Sequence, residues 1–156
     1  GGDVDGDGLN DIFIGSDSDD GGREAHASYV ILGRNLAAKG AYNLSQSDYK
    51  LIGVTAYDYA SQVSINGDVN GDGLDDLVIG AAGNDKAGDA AGIVYVVLGS
   101  SLGGSQRIDL SNADYELIGE NAGDNVGAHV AHAGDIDGDG LDDIMIGALR
   151  YTGKYK

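Results

Sequence analysis

Residues Gly67–Ala81 have the sequence GDVNGDGLDDLVIGA, an acidic, glycine-rich loop followed at once by an apolar run. Near-copies begin at Gly2, as GDVDGDGLNDIFIGS, and at Gly134, as GDIDGDGLDDIMIGA. An internal repeat of this kind determines the architecture and has to be recognised before any local assignment is made. The three copies therefore identify the chain as a repeat protein.

Other parts of the sequence recur with the same period of about 66 residues. YVILG begins at Tyr29 and YVVLG at Tyr95, while LSQSDYKLIG begins at Leu44 and LSNADYELIG at Leu110. The 156 residues thus hold about two and a half units. We predict a first blade at residues 1–54 that lacks its first strand, a complete second blade at 55–120, and an incomplete third blade at 121–156 that stops near its third strand. Because the chain opens inside a loop motif, we expect it to be a piece of a longer polypeptide.

Within each unit the apolar segments are short, rich in β-branched residues and bounded by glycine or polar clusters, a pattern typical of strands. The predicted strands are Gln62–Asn66 and Ala128–Ala133 before the loops, Ile12–Ile14, Leu77–Ile79 and Ile144–Ile146 after them, then Ser28–Leu32 and Gly92–Leu98, then Tyr49–Ile52 and Tyr115–Ile118. Four strands per unit with glycine-rich turns indicate a β-propeller blade. We predict an all-β fold of four-stranded antiparallel blades, either a partial propeller or a protomer of a larger assembly, since propellers close with about four to eight blades.

Each acidic loop presents oxygen ligands at alternate positions, as a calcium ion with six to eight oxygen ligands requires. Side chains supply positions 1, 3, 5 and 9, and a leucine carbonyl supplies position 7. The predicted ligands are Asp3, Asp5, Asp7, Leu9 and Asp11; Asp68, Asn70, Asp72, Leu74 and Asp76; and Asp135, Asp137, Asp139, Leu141 and Asp143. We predict one Ca²⁺ per loop, up to three in all, and we expect each leucine side chain to enter the core.

Two alternatives can be weighed against calcium loops of this type. A helix–loop–helix EF-hand needs a glutamate at position 12, where this chain has Ile14, Ile79 or Ile146. A metal-free acidic turn accounts for Asp and Gly in general, but it does not account for one spacing repeated three times. Since Asn70 replaces the carboxylate found at Asp5 and Asp137, the second loop is predicted to bind calcium most weakly.

The composition excludes several classes of partner. The net charge of −17 argues against nucleic acid and anionic membranes as partners, and the sequence lacks the run of about 20 apolar residues that membrane insertion needs. The absence of cysteine excludes disulfides and thiolate metal sites. His129 and His132 are three residues apart in a predicted strand and should point to opposite faces. We expect no catalytic residues.

The loop Asp-x-Asp/Asn-x-Asp-Gly-x-x-Asp, followed by DLVIGA at Asp76 and YVVLG at Tyr95, resembles the FG-GAP repeat of integrin α-subunit propellers and bacterial surface proteins. The resemblance implies that each repeat forms most of a blade and that calcium lies in the loop between its first two strands. It assigns the ligand role to the same fifteen residues. The Phe-Gly pair of the family is replaced here by Tyr59-Ala60 and Val126-Gly127.

The functional prediction is a non-enzymatic, calcium-stabilised repeat module of an extracellular or cell-surface protein that serves adhesion or assembly. Its partner would be a protein or a glycan. One alternative is a unit that assembles with itself into a ring or filament through unpaired blade edges. Another is a non-catalytic accessory segment of a secreted hydrolase.

Overall fold

The computed structural model describes residues 1–17, 26–36 and 40–149. The strands in these ranges are β1 Ile12–Ser16, β2 Ala27–Ile31, β3 Tyr49–Ile52, β4 Ala60–Ile65, β5 Leu77–Ala81, β6 Ile93–Val97, β7 Arg107–Asp109, β8 Tyr115–Ile118, β9 Val126–Gly134 and β10 Asp143–Ala148. Short 3₁₀ turns span Gly33–Asn35, Leu44–Gln46, Gly99–Ser101 and Leu110–Asn112. Among the described residues there is no helix with the length and apolarity needed to cross a bilayer.

The second sheet is a complete four-stranded blade. Its order is β4-β5-β6-β8, and every neighbouring pair is antiparallel. The acidic loop of the second copy lies between β4 and β5, the first two strands of this sheet. All nine strands predicted from the sequence are present, with ends displaced by at most two residues. The predicted all-β blade architecture is therefore confirmed.

The first sheet contains a strand that the sequence pattern does not reveal. Its order is β1-β2-β3-β7, and β7 pairs with β3 in parallel, with Leu51 opposite Ile108. The Lys50 N–H donates to the Gln106 carbonyl at 2.7 Å. β7 has three residues, of which only Ile108 is apolar, so it is too short to show a period. The chain thus leaves the second sheet after β6, adds β7 to the first sheet and returns as β8.

The third sheet consists of β9 and β10 in the described part of the chain. The two strands are antiparallel, with register irregularities at Asp143/Ile144 and Gly147/Ala148. The C-terminal end of the predicted third blade, where its third strand would begin, lies outside the described residues. The blade boundaries at residues 54/55 and 120/121 stay a prediction.

The second sheet packs between the other two. β4 contacts β1 of the first sheet, and both β4 and β5 contact β9 of the third. Every residue of β5 and β6 is consequently buried, which is why these strands appear in sequence as continuous apolar runs rather than alternating ones. The core includes Leu51 from the first sheet and Ile79, Ile93 and Tyr95 from the second.

A glycine near the end of β1 and another near the end of β5 allow neighbouring sheets to approach closely. A Cβ on Gly80 would lie 2.1 Å from the carbonyl oxygen of Gly127 in β9, and one on Gly15 would lie 1.8 Å from that of Ser61 in β4. Both distances are far inside van der Waals contact. Gly15 and Gly80 are therefore required for packing between sheets, whereas the Cβ position of Gly147 lies nearest to His129 of its own sheet, at 3.3 Å.

Candidate metal centres

The first aspartate of each loop organises the surrounding backbone. The Asp3 carboxylate accepts hydrogen bonds from the N–H groups of Gly6, Asp7 and Gly8 at 2.8, 3.1 and 2.8 Å. Asp68 and Asp135 accept from the equivalent N–H groups at distances between 2.7 and 3.2 Å. The three loops therefore share one conformation.

The remaining side chains of the loop are held by local hydrogen bonds. Asp5 accepts from the Asp7 N–H at 3.3 Å, and Asp7 accepts from the Leu9 N–H at 2.9 Å. Gly6 and Gly8 have φ of +72° and +84°, a left-handed conformation that costs glycine little because it has no Cβ. The loop thus curls around its own carboxylates.

The last aspartate of the loop is buried and connects the loop to its blade. Asp11 is fully buried, and its two oxygens accept from the N–H groups of Val4 at 2.8 Å and Gly33 at 2.7 Å. Burial raises the pKa of the Asp11 carboxyl, the two N–H donors oppose this, and the charges of Asp3 and Asp7 add to the rise. A buried carboxylate beside others of like charge is unfavourable unless a cation compensates it.

The carboxylates converge closely enough for one ion. Ligand oxygens from Asp3, Asp5 and Asp11 lie within 4.8 Å of one another. A third-loop group, Asp135, Asp137 and Asp143, shows the same convergence. Oxygens bound at 2.3–2.6 Å to a single Ca²⁺ are separated by at most about 5 Å. The donor set and its spacing therefore fit calcium.

The second loop differs at its third position. The Asn70 amide oxygen accepts from the Asp72 N–H at 2.9 Å, as the Asp5 carboxylate does in the first loop, and its amide nitrogen donates to Asp72 at 2.9 Å. That donation, together with the Ser100 hydroxyl, holds the pKa of the Asp72 carboxyl below its usual range. Asp76 is fully buried like Asp11, and its pKa is raised by the same cause.

The prediction that the loop leucines enter the core is wrong. Leu9 and Leu141 are 49% and 37% exposed, and Leu74 is only half-buried. The loops lie at the ends of the sheets, so Leu74 and Leu141 each reach the preceding loop instead. Leu74 lies 2.9 Å from where a Cβ on Gly6 would be, and Leu141 has the same distance to Gly71.

Sequence reasoning missed the eighth position of the loops. The Asp75 carboxylate accepts from the Asp3 N–H at 2.6 Å, and the Asp75 N–H donates to the Asp3 carbonyl at 3.0 Å. Asp142 makes both bonds to Asp68, each at 3.0 Å. The only signal in the sequence is that position 8 is polar in every copy, with Asn10 in the first.

A cationic side chain from outside the first loop contacts it, namely Arg34 of the 3₁₀ turn Gly33–Asn35. The Arg34 guanidinium contacts the Asp5 carboxylate and lies 3.5 Å from an Asp7 oxygen. Arg34 is the second residue of its 3₁₀ turn, and the second residue of the equivalent turn in the second blade is Ser100. The single positive charge of Arg34 thus compensates part of the negative charge of two predicted ligands.

We expect Arg34→Ser to tighten calcium binding at the first loop. Calcium must displace the ion pair between Arg34 and the loop carboxylates, and an exposed pair of this kind is worth about 0.2–1 kcal/mol. Removal of the pair should therefore lower the calcium dissociation constant of the first loop up to about fivefold. A calcium titration that follows the Gly8 amide resonance measures this site. Arg107→Ser removes the same charge from β7 and should leave the Gly8 midpoint almost unchanged. Equal midpoints for the wild type and Arg34→Ser would refute competition by Arg34.

The two histidines of β9 lie in different surroundings. His129 is exposed, whereas the Nδ1 of His132 lies 3.2 Å from the Ser64 hydroxyl of β4. Burial lowers the pKa of His132, and the charges of Asp75 and Asp142 oppose that effect. His132 therefore packs between the second and third sheets.

The sheets pack side by side, and an acidic loop directly precedes β1, β5 and β10. This repetition defines the chain as part of a β-propeller. A sequence model of the FG-GAP repeat matches residues 59–97 and 126–156, so the chain carries FG-GAP repeats. The resemblance seen in the loop and strand motifs is thereby confirmed.

Similar proteins include integrin α subunits. The chain is 32% identical over 158 residues to Integrin alpha-PS5 of Drosophila melanogaster. The aligned region covers 94% of this chain and 14% of that protein. It is 31% identical over 165 residues to Integrin alpha-PS3 of Drosophila melanogaster, with coverage of 98% and 13%. It is 30% identical over 153 residues to Integrin alpha-4 of Xenopus laevis, with coverage of 94% and 14%. The chain thus spans 13–14% of the length of these curated relatives.

Proposed function

We propose that the chain is a calcium-binding FG-GAP module with a structural, non-catalytic role in an adhesion or assembly protein outside the cell or at its surface. The observation that supports this most is the position of Asp11, a fully buried carboxylate whose oxygens lie within 4.8 Å of those of Asp3 and Asp5. Similarity to integrin α subunits supports the adhesion role and a protein or glycan partner.

The proposed ligands have distinct tasks within a loop. The first aspartate fixes the backbone through its three accepted N–H bonds, and the third and fifth positions add oxygens from the exposed side. At the ninth position, Asp11 accepts a hydrogen bond from the Gly33 N–H and Asp76 accepts one from the Gly99 N–H. Each glycine lies after the third strand of its blade. A bound Ca²⁺ would supply positive charge to these carboxylates and offset two of the 17 net negative charges per site. The position-7 carbonyls of Leu9, Leu74 and Leu141 complete the proposed sets.

Calcium titration of the metal-free chain by isothermal calorimetry tests this function. We expect up to three bound ions, with dissociation constants in the range of about 10⁻⁴–10⁻³ M that is typical of extracellular modules. Asp139→Asn removes a charged ligand from the third loop and should abolish or strongly weaken one site. Glu120→Gln makes the same charge change at an exposed position outside the loops and should preserve all sites. A chain that shows no saturable binding at millimolar calcium would refute the proposal.

Self-association is a second candidate, favoured by the exposed third sheet. Ile136 is 71% exposed and Met145 is 61% exposed. At the same repeat positions, Val4 and Val78 are fully buried, and Val69 and Phe13 are half-buried. Leu9 is exposed, and Gly138 has nothing within 4 Å of its Cβ position. Within the chain, Leu74 packs against Gly6 of the preceding loop, and Leu141 packs against Gly71. Leu9 of a second copy could pack against Gly138 in the same way.

Sedimentation velocity over a range of concentrations tests this head-to-tail contact. A heterologous contact of this kind leads to rings or open filaments, so we expect species larger than 15.8 kDa. Ile136→Glu should shift the distribution to monomer, and the exposed Leu117 changed to Glu serves as the control. A monomer at all concentrations would exclude self-association.

A further inference from the structure

We propose that Asp75 and Asp142 are positioning residues that couple neighbouring calcium sites, so that an ion in one loop strengthens binding in the loop before it. The inference rests on the proposed calcium binding. It concerns side chains outside the ligand set, and it assigns them to the preceding loop rather than to their own.

The contact between loops is two-sided and is made to the backbone of a ligand residue. Asp75 accepts the Asp3 N–H through its carboxylate at 2.6 Å and donates its own N–H to the Asp3 carbonyl at 3.0 Å. Both main-chain groups of Asp3 are therefore fixed by one residue of the next loop. The Asp142–Asp68 pair repeats this arrangement at the following junction.

Asp3, whose main chain Asp75 holds, organises the backbone of its own loop. The Asp3 carboxylate receives three backbone N–H bonds from its own loop. Displacing the Asp3 main chain would move the carboxylate and weaken the turn that presents the other ligands. The orientation of Asp3 therefore affects the whole first site.

Asp75 lies between two proposed ligands of the second loop. Asp75 is flanked by Leu74 and Asp76, so an ion held by that loop restricts Asp75 as well. Leu74 adds a second contact, since it packs over Gly6 of the first loop. Occupancy of the second loop thus restricts residues that touch the first loop at two points.

The expected coupling follows from linkage. An ion in the second loop orders Leu74 and Asp75, and the first loop then loses less conformational freedom when it binds its own ion. By reciprocity, an ion in the first loop raises the affinity of the second by the same factor. Typical coupling of this kind changes affinity by at least about fivefold.

Site-resolved calcium titrations of the full chain test the coupling. The amides of Gly8, Gly73 and Gly140 each donate to the first aspartate of their loop, so their ¹⁵N–¹H resonances report the three sites separately. Asp75→Ala should raise the calcium dissociation constant at Gly8 at least about fivefold and leave Gly140 within twofold. Asp75→Asn, which keeps an acceptor as Asn10 does naturally, should restore the Gly8 value. Asn10→Ala, a change at the same loop position in the first loop, should have no effect on Gly73.

A double-mutant cycle separates coupling from a general loss of structure. Asp72→Ala disables the second loop and should weaken binding at Gly8 when Asp75 is present, but cause a clearly smaller further loss in the Asp75→Ala background. The remaining loss reflects the Leu74 contact and the main-chain bond to the Asp3 carbonyl, which alanine at position 75 keeps. If Asp75→Ala does not fold, Asp142→Ala gives the same test with Gly73 as the reporter.

The outcomes distinguish the two proposals. If none of the three resonances of the wild type responds to calcium, the proposed calcium binding fails and the coupling fails with it. If all three respond but Asp75→Ala leaves the Gly8 dissociation constant within twofold, the coupling alone is overturned and calcium binding stands.

Discussion

Excess EDTA is expected to lower the midpoint of thermal unfolding by at least about 8 °C relative to the calcium-loaded chain. A ligand at tenfold its dissociation constant stabilises a fold by about 1.4 kcal/mol per site, so three sites contribute about 4 kcal/mol. For a chain of this size each kcal/mol shifts the midpoint by roughly 2–4 °C. The physical reason is that the buried carboxylates of Asp11 and Asp76 lie beside others of like charge.

Scanning calorimetry at constant ionic strength measures this effect. Adding calcium back in excess over EDTA should restore the midpoint, and the shift should be smaller in Asp139→Asn, which loses part of the third site. An unfolding midpoint that is indifferent to chelation would mean that the loops stabilise the blades without an ion.

Gly80→Ala is expected to destabilise the chain by about 3 kcal/mol or more, the upper range for inserting a methyl group into a packed interior. The added Cβ would lie 2.1 Å from the Gly127 carbonyl oxygen, and backbone atoms on two sheets have no side-chain rotation by which to avoid it. The second and third sheets must separate locally, which also disturbs the fully buried β5. The midpoint of thermal unfolding should fall by roughly 6–12 °C.

Gly103→Ala is the matched control, because nothing lies within 4 Å of its Cβ position. It should change stability by less than about 0.5 kcal/mol, as is usual for surface substitutions. Urea denaturation of both variants at saturating calcium gives the comparison. Similar stabilities of the two variants would show that the sheets do not approach as closely at Gly80 as the structure indicates.

The elements with a repeating local signal could be predicted from the sequence. The loops repeat an alternating oxygen pattern, and β5 and β6 are continuous apolar runs, so both were identified with ends within two residues. β7 could not be predicted, because three residues that pair with β3 across a repeat boundary have no local period. The roles of Asp75 and Leu74 were missed for a related reason, since each acts on the preceding loop rather than its own. Contacts between repeats depend on how blades are placed, which a single repeat does not encode.

The path of β7 bears on how the chain can be divided. Residues 107–109 follow β6 of the second sheet, pair with β3 of the first and precede β8 of the second. A cut between Gly53 and Val54 would therefore deprive the first sheet of its outer strand, and a cut after Asp109 would deprive the second sheet of β8. Division at the predicted boundary between residues 54 and 55 would thus expose the edge of β3 in the first piece and leave β7 of the second piece without its partner strand, although the second sheet itself would be complete.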